Sequence, residues 1–451
     1  MLNHHDFLRR LARLVHWRSW HGRVIVWTAA AVAAMSVVLF AQAVDYAIDG
    51  FRLLRDAGAW LPFVAMPLGG VTIVWLTRRY FQGTEGSGIP QVIAALREVE
   101  GSPVVTRLVS LRIAIGKILL ATAGLACGFS TGREGPSVQV AASIMQMFRN
   151  RLPARFPIHT HHLIVAGGSV GLAAAFNTPL AGIVFAIEEL GRKFEERTNG
   201  VLLTAVILAG VISIAFQGNY TYFGHLVITD IGRHLLLPIV AVSVAGGVGG
   251  GLFSRSLLWS ARRNGLLDAW RKQHPRNPYV LAAVCGLLVA GLGLLSAGDV
   301  NGSGYLVTRA ALDGEHPLTL AFAAEKYAAT LLSYFSGIPG GIFAPSLSIG
   351  AGIGQGLSGL LPSDVDTVAW MALGMTAFLA AVTQAPITAF VIVMEMIDGH
   401  TMVISLMATA FLSSLIARFF SHPLYQTLSH RVARTARAGL QLQSPAQAVS
   451  P

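Results

Sequence analysis

The chain has 451 residues, of which 53% are hydrophobic and only 12% charged, and its mean hydropathy is +0.59. Soluble domains carry about 25% charged residues, so this composition excludes a water-facing surface and describes a polytopic membrane protein. The formal net charge of +11 does not point to nucleic acid, because the basic residues are gathered in short segments between apolar runs. Those segments hold Arg9, Arg10, Arg13, Arg18 and Arg23, then Arg149, Arg151 and Arg155. They continue with Arg262, Arg263, Arg271 and Lys272, and end with Arg431, Arg434 and Arg437. Positive charge is retained on the cytoplasmic side, so both termini are expected there and the number of crossings is expected to be even.

In chain order, residues 1–23 read as a basic cytoplasmic segment. The apolar run 24–44 follows, and Ala41-Gln42-Ala43 resembles the cleavage site of a leader. Val24–Phe40 is longer than the roughly 7–15 apolar residues of a leader and more membrane protein follows, so a retained span is expected. Further apolar runs lie at 60–76, 108–130, 163–187, 201–216, 235–253, 279–297, 319–335, 340–361, 367–397 and 401–417. Several fall short of the roughly 20 residues that cross a bilayer, and 367–397 is well over it. Many are interrupted by Gly or Pro, and irregular backbone at membrane depth is tolerated only inside protein or along a cavity. Cys127 and Cys285 lie far apart in apolar runs and read as packing residues, not a disulfide framework.

Three blocks recur in order. Glu85-Gly86-Ser87-Gly88-Ile89 is echoed by Asn301-Gly302-Ser303-Gly304-Tyr305, 216 positions on (302 − 86). Gly132, Pro136 and Ser137 are echoed by Gly341, Pro345 and Ser346, 209 on (341 − 132). Pro179 to Glu188 is echoed by Pro386 to Glu395, 207 on (386 − 179). Near-constant offsets imply a duplicated architecture: a first membrane repeat over 24–216, a linker at 217–234 and a second repeat over 235–430. Identity alone leaves open whether the halves are parallel or inverted. Residues 431–451 read as a short cytoplasmic tail, expected to be disordered.

The chemistry gathers where glycines open helix starts inside apolar sequence. In Gly132-Arg133-Glu134-Gly135-Pro136-Ser137, proline suits a first helical turn, and unpaired N–H groups there favour an anion. Glu134 is itself an anion, and an ionisable group at membrane depth is a functional candidate. The expected site is thus an anion site that the protein's own carboxylate fills when no ion is bound. Gly340-Gly341-Ile342-Phe343-Ala344-Pro345 offers the free amides of Ile342 and Phe343, and Gly86-Ser87-Gly88 a hydroxyl on a glycine-supported turn. Dipoles without a full positive charge hold an ion weakly enough to release it.

The segments Gly-Ser-Gly-Ile-Pro at 86–90, Gly-Arg-Glu-Gly-Pro at 132–136 and Gly-Ile-Phe-Ala-Pro at 341–345 resemble the three signature motifs of the CLC chloride channel and transporter family. Pro423-Leu424-Tyr425 resembles that family's late tyrosine segment. The resemblance covers most of 24–430. It implies an all-α membrane protein of two inverted repeats with broken, re-entrant helices, acting as a homodimer in the bacterial inner membrane. It implies chloride held by the Ser87 and Tyr425 hydroxyls and the Ile342 and Phe343 amides, and an external anion position at the Arg133 and Gly135 backbone. Glu134 would be the gate, taking up a proton when displaced. After Asn177-Thr178-Pro179-Leu180-Ala181-Gly182, Glu189 matches the proton-transfer position of the exchangers, while Glu188 and Glu395 are expected to be structural, Glu188 through a salt bridge. Serine at 87 resembles the chloride-selective members, and a short tail resembles bacterial ones. Chloride/proton antiport is therefore expected, with a passive, voltage- or pH-gated chloride channel as the alternative.

Other candidates read as structural. Lys117, alone in its apolar run, could attract anions or pair with a buried acid, and is expected to be a structural partner or to snorkel to the interface. His159, His161 and His162 fall in a basic connector and read as an interfacial loop, so no metal is expected there. No cofactor and no nucleic acid are expected. No nucleophile–base pair stands out on the apolar helices, so an enzyme with Glu134 as general base is disfavoured.

Overall fold

Glycine and proline divide the apolar runs into helices. The computed structural model describes residues 17–441 apart from 154–155, 157, 192–195, 219–221, 225–232, 263 and 362–363. The basic positions Arg9, Arg10, Arg13, Arg155 and Arg263 thus lie outside the described residues, as does most of the 217–234 linker. Helix α1 (Trp17–Ala57) takes in the end of the basic segment and runs on past the apolar stretch. Helix α2 (Pro62–Arg79) ends on Arg78 and Arg79. Gly88, at φ +104°, turns the chain into α3 (Ile89–Leu96), a conformation strained for any side chain. Then come α4 (Pro103–Leu108), α5 (Leu111–Ala126) and α6 (Glu134–Met147). The run 163–187 is two helices, α7 (Thr160–Phe176) and α8 (Pro179–Phe185), because Asn177 at φ +56° ends one and Pro179 starts the next. A π-helical turn, Ala186–Leu190, extends α8, and α9 (Glu196–Gln217) follows.

The second half repeats the order. It contains α10 (Leu236–Ser260), α11 (Leu266–Gln273), α12 (Asn277–Leu295), α13 (Tyr305–Leu312), α14 (Leu320–Phe335) and α15 (Phe343–Ser358). Gln384 at φ +56° and Pro386 break the over-long 367–397 run into α16 (Thr367–Thr383) and α17 (Pro386–Ile397), as Asn177 and Pro179 do in the first half. Helices α18 (Val403–Ala417) and α19 (Leu424–Gln441) complete it.

The contacts between equivalent residues settle the sense of the duplication. Gly132 and Gly341 exchange both backbone bonds, N to O at 2.7 Å each way, as residues related by a local two-fold axis must. The end of α8 meets the start of α17 and the end of α17 meets the start of α8, so these equivalent helices run antiparallel. The repeats are inverted, and α6 and α15 enter from opposite sides to start near one another.

Close crossings hold each repeat together. In the first, a Cβ on Gly167 of α7 would lie 2.6 Å from the Ala142 Cα of α6; in the second, a Cβ on Gly374 of α16 would overlap the Gly350 carbonyl of α15. Small residues let backbones touch where lipid offers no hydrophobic drive for helices to associate. The segments Trp20–Ala57, Pro103–Ala126, Leu236–Ser260, Asn277–Leu295 and His400–Ala417 are long and apolar enough to cross a bilayer, and shorter apolar helices pack between them. The chain is a multi-pass, all-helical membrane protein.

The tail expected to be disordered differs from that expectation up to Gln441. Residues 431–441 are the second half of α19, with Ala433 and Ala436 buried and Arg437 paired with Glu98 at 2.6 Å. Small apolar residues on one face of a basic stretch supply that contact, which overall polarity conceals. Residues 442–451 lie outside the described ones.

Candidate functional site

The three glycine-rich segments are sewn together through their backbones. Besides the reciprocal Gly132–Gly341 pair, Gly340 N donates to Gly86 O at 3.0 Å. This brings the start of α3, the start of α6 and the start of α15 to one point. Lys117 on α5 is buried there and donates to the Thr84 and Gly86 carbonyls at 2.7 Å each, so it neither snorkels nor pairs with an acid. Lys326 on α14 does the same for the Val300 and Gly302 carbonyls, at 2.8 and 2.9 Å. Lys326 lies 209 positions after Lys117 (326 − 117), the offset already seen for Gly132 and Gly341. That shared spacing was the signal by which sequence reasoning could have found it.

Glu134 opens α6 and is fully buried. Its Oε2 accepts from Ala344 N, in the first turn of α15, at 3.4 Å, while Oε1 is buried without a hydrogen-bond partner among the described residues. Ile342 and Phe343 begin the same turn, where N–H groups have no carbonyl one turn back. Ala344 is thus a site residue the sequence reading missed. A Cβ on Gly135 would overlap the Ser87 Oγ, so the Ser87 turn lies directly on the first turn of α6. The Ser87 hydroxyl neighbours that of Tyr425, and both oxygens are buried without a hydrogen-bond partner among the described residues. The Tyr425 ring stacks on Phe343, with centroids 6.0 Å apart and planes at 12°. All of the predicted anion ligands therefore converge with Glu134.

A cavity opens on each side of this point. One, of about 550 Å³, is lined by Glu85, Ser87, Arg78, Arg271, Arg431 and Tyr334. The other, also about 550 Å³, is lined by Arg133, Tyr222 and the Ser303 turn, with the carboxylates Asp45, Asp49, Asp56 and Asp299 around it. Arg133 is only 5% exposed and its Nη1 donates to Asp45 Oδ1 at 2.7 Å and to Ala41 O at 2.8 Å. That side chain turns to α1 and leaves its backbone on the Glu134 side. Tyr222, from the linker, is buried and packs on Tyr305 with centroids 4.2 Å apart.

Glu189 sits in the π-helical turn, 6% exposed, and is not at an aqueous helix end. Its carbonyl accepts from Gln426 Nε2 at 3.4 Å, beside Tyr425. Glu188 makes no salt bridge among those described, contrary to expectation. Its carboxylate instead accepts from Ile387 N at 3.1 Å and Thr388 N at 2.6 Å, capping α17. Glu395 caps α8 in return, through Leu180 N at 3.0 Å and Ala181 N at 2.6 Å. His159 and His161 stack at the start of α7 with His162 tilted against them, and there Glu100 binds His159, Thr160 and Arg149. Burial disfavours charge on Glu100, but these hydrogen bonds outweigh it and hold the carboxyl at about 2. Cys127 and Cys285 are free thiols.

The arrangement resembles known proteins. The sequence profile of a family described as "Voltage gated chloride channel" matches residues 69–418. The H(+)/Cl(-) exchange transporter ClcA of Klebsiella pneumoniae (strain 342) is 32% identical over 393 residues, covering 82% of this chain and 79% of that one. ClcA of Yersinia pestis bv. Antiqua (strain Angola) is 32% identical over 459 residues, covering 94% and 91%. Among solved structures, a slow cyanobacterial Cl-/H+ antiporter superposes with a TM-score of 0.79 at 25% identity, covering 93% of this chain and 99% of the other. A CLC-type fluoride/proton antiporter superposes at 0.75 with 21% identity, which speaks to the fold alone.

Proposed function

Because this chain belongs to the voltage-gated chloride channel (CLC) family, we propose that it exchanges chloride for protons across the bacterial inner membrane. The observation that carries this reading is Glu134. Its buried carboxylate accepts from the first turn of α15, with one oxygen unpartnered, between two cavities. An anion position made of helix N-termini and hydroxyls suits chloride, and the glutamate occupies it as a competing anion. Chloride enters from the Ser87 cavity to lie among Ser87, Tyr425 and the Ile342, Phe343 and Ala344 amides. Protonation of Glu134 removes its charge and frees that position, and chloride passes to the Arg133 and Gly135 backbone. Buried Glu189, beside Tyr425, passes protons between the cytoplasm and Glu134.

Arg78, Arg107, Arg271 and Arg431 line the Ser87 cavity against Arg52, Arg55 and Arg133 at the other, and this excess of arginine supports a cytoplasmic face for the first and an external face for the second, with both termini cytoplasmic. Two such subunits form the working homodimer.

The test is transport in liposomes under a chloride gradient without a proton gradient, recording external pH and chloride flux together. Wild type is expected to drive protons uphill. Glu134→Gln and Glu189→Gln should each abolish proton movement while chloride flux persists. Chloride flux without proton movement in the wild type would make the protein a passive channel and return Glu189 to a packing role.

A further inference from the structure

At the end of α2, a third cavity of about 820 Å³ adjoins the Ser87 cavity, with which it shares Gln82 and Arg107. Arg79, Arg107 and Arg112 line it, with Ser110, Leu111 and Leu440. None of the three guanidinium groups makes an ion pair among the described residues. Arg79 lies over the Tyr80 ring at 5.7 Å, Arg107 donates to Gln82 Oε1 at 3.0 Å, and Arg112 donates to the Tyr80 carbonyl. Three cations share one cavity with no carboxylate to balance them, and so an anion is the complementary occupant. Ser110, at the start of α5, does not cap that helix with its side chain, which leaves first-turn N–H groups beside the same cavity.

The surroundings identify the anion's carrier. Trp75 and Tyr80 are each 45% exposed and meet edge-to-face at 5.7 Å, the placement of aromatic residues at a membrane–water boundary. From the cavity, Leu111, Ile115 and Leu119 form an exposed apolar stripe along one face of α5, toward the bilayer interior. A phosphate at the arginines and an acyl chain along this stripe satisfy both halves of the surface at once. A free phosphate would leave the stripe unused.

We propose that the cavity between α2, α4, α5 and the end of α19 binds the phosphate headgroup of an anionic phospholipid, whose chain lies on Leu111, Ile115 and Leu119. This site borders the Ser87 cavity through Gln82 and Arg107, whereas Arg79 and Arg112 line only the larger cavity, and it does not depend on the exchange mechanism.

The test is native mass spectrometry of the protein released from vesicles of equal parts phosphatidylglycerol and phosphatidylcholine, with inorganic phosphate added in a parallel arm. Wild type should retain phosphatidylglycerol over phosphatidylcholine. Each of Arg79→Gln and Arg112→Gln should lower that retention about fivefold, the worth of one basic residue at an anionic surface. Arg418→Gln, which removes a surface arginine at the end of α18, should leave it unchanged. Arg79→Gln loses only a ring contact, so it stays usable if Arg112→Gln misfolds. Equal retention of both lipids, or an equal loss in Arg418→Gln, would overturn the proposal. Binding of inorganic phosphate with no preference among lipids would do so as well.

Discussion

At the scale of single residues, the site depends on how closely backbones approach. Gly135 matters because its missing side chain is the space that the Ser87 Oγ occupies, with the Ser87 carbonyl only 2.8 Å from where a Cβ would stand. Gly135→Ala is expected to displace the Ser87 turn and to weaken chloride binding at least tenfold. Isothermal titration with chloride would measure this, and an unchanged affinity would remove Ser87 from the site. The motif residues were legible because glycine, proline and a lone carboxylate in apolar sequence have few explanations. Ala344 was not, since an alanine contributes to this site only through its backbone N–H. The partner of Glu188 was equally hidden, because backbone donors leave no mark in the sequence.

At the scale of elements, the two halves lock through helix ends. The carboxylate of Glu188 meets the N-terminus of α17 and that of Glu395 meets the N-terminus of α8, where the helix dipole and unpaired N–H groups favour negative charge. Each contact joins one repeat to the other. Glu188→Gln and Glu395→Gln are each expected to cost about 1 kcal/mol, as lost caps do. Thermal unfolding of the single and double variants in detergent would test it; no loss in either single variant would mean that the caps do not hold the repeats together. Chloride flux in Glu188→Gln, with Glu189 intact, then reports whether the lock also steadies the π-helical turn.

At the scale of the whole molecule, the apolar surface faces lipid or a second copy of the chain. Leu203, Ile207, Val211 and Ile214 are exposed along α9, and Ile404, Met407, Phe411 and Leu415 along α18. Ile187 and Ile387, beside the two caps, are exposed as well, so equivalent helices of both repeats present apolar side chains outward. For the proposed homodimer this face is the expected interface, since a two-fold interface needs a self-complementary patch. Replacing Ile187 and Ile387 together by tryptophan should shift the purified protein toward monomer in light scattering coupled to gel filtration. A dimer of unchanged mass would place the interface elsewhere.

The sequence by itself determined the membrane class and the duplication, and it pointed to the short segments that form the candidate site, because composition, spacing and glycine-flanked carboxylates are local properties. Run lengths located the apolar segments but not their ends, which Asn177, Gln384 and the prolines after them decided. Only the tertiary structure decided that the repeats are inverted, that the three segments meet at one backbone junction, that Lys117 holds the Thr84 and Gly86 carbonyls beside it while Lys326 holds those of Val300 and Gly302, and that the tail folds onto Glu98. Each of these is a contact between residues far apart in the chain, made largely by backbone atoms that every residue shares. One-dimensional patterns do not record such contacts.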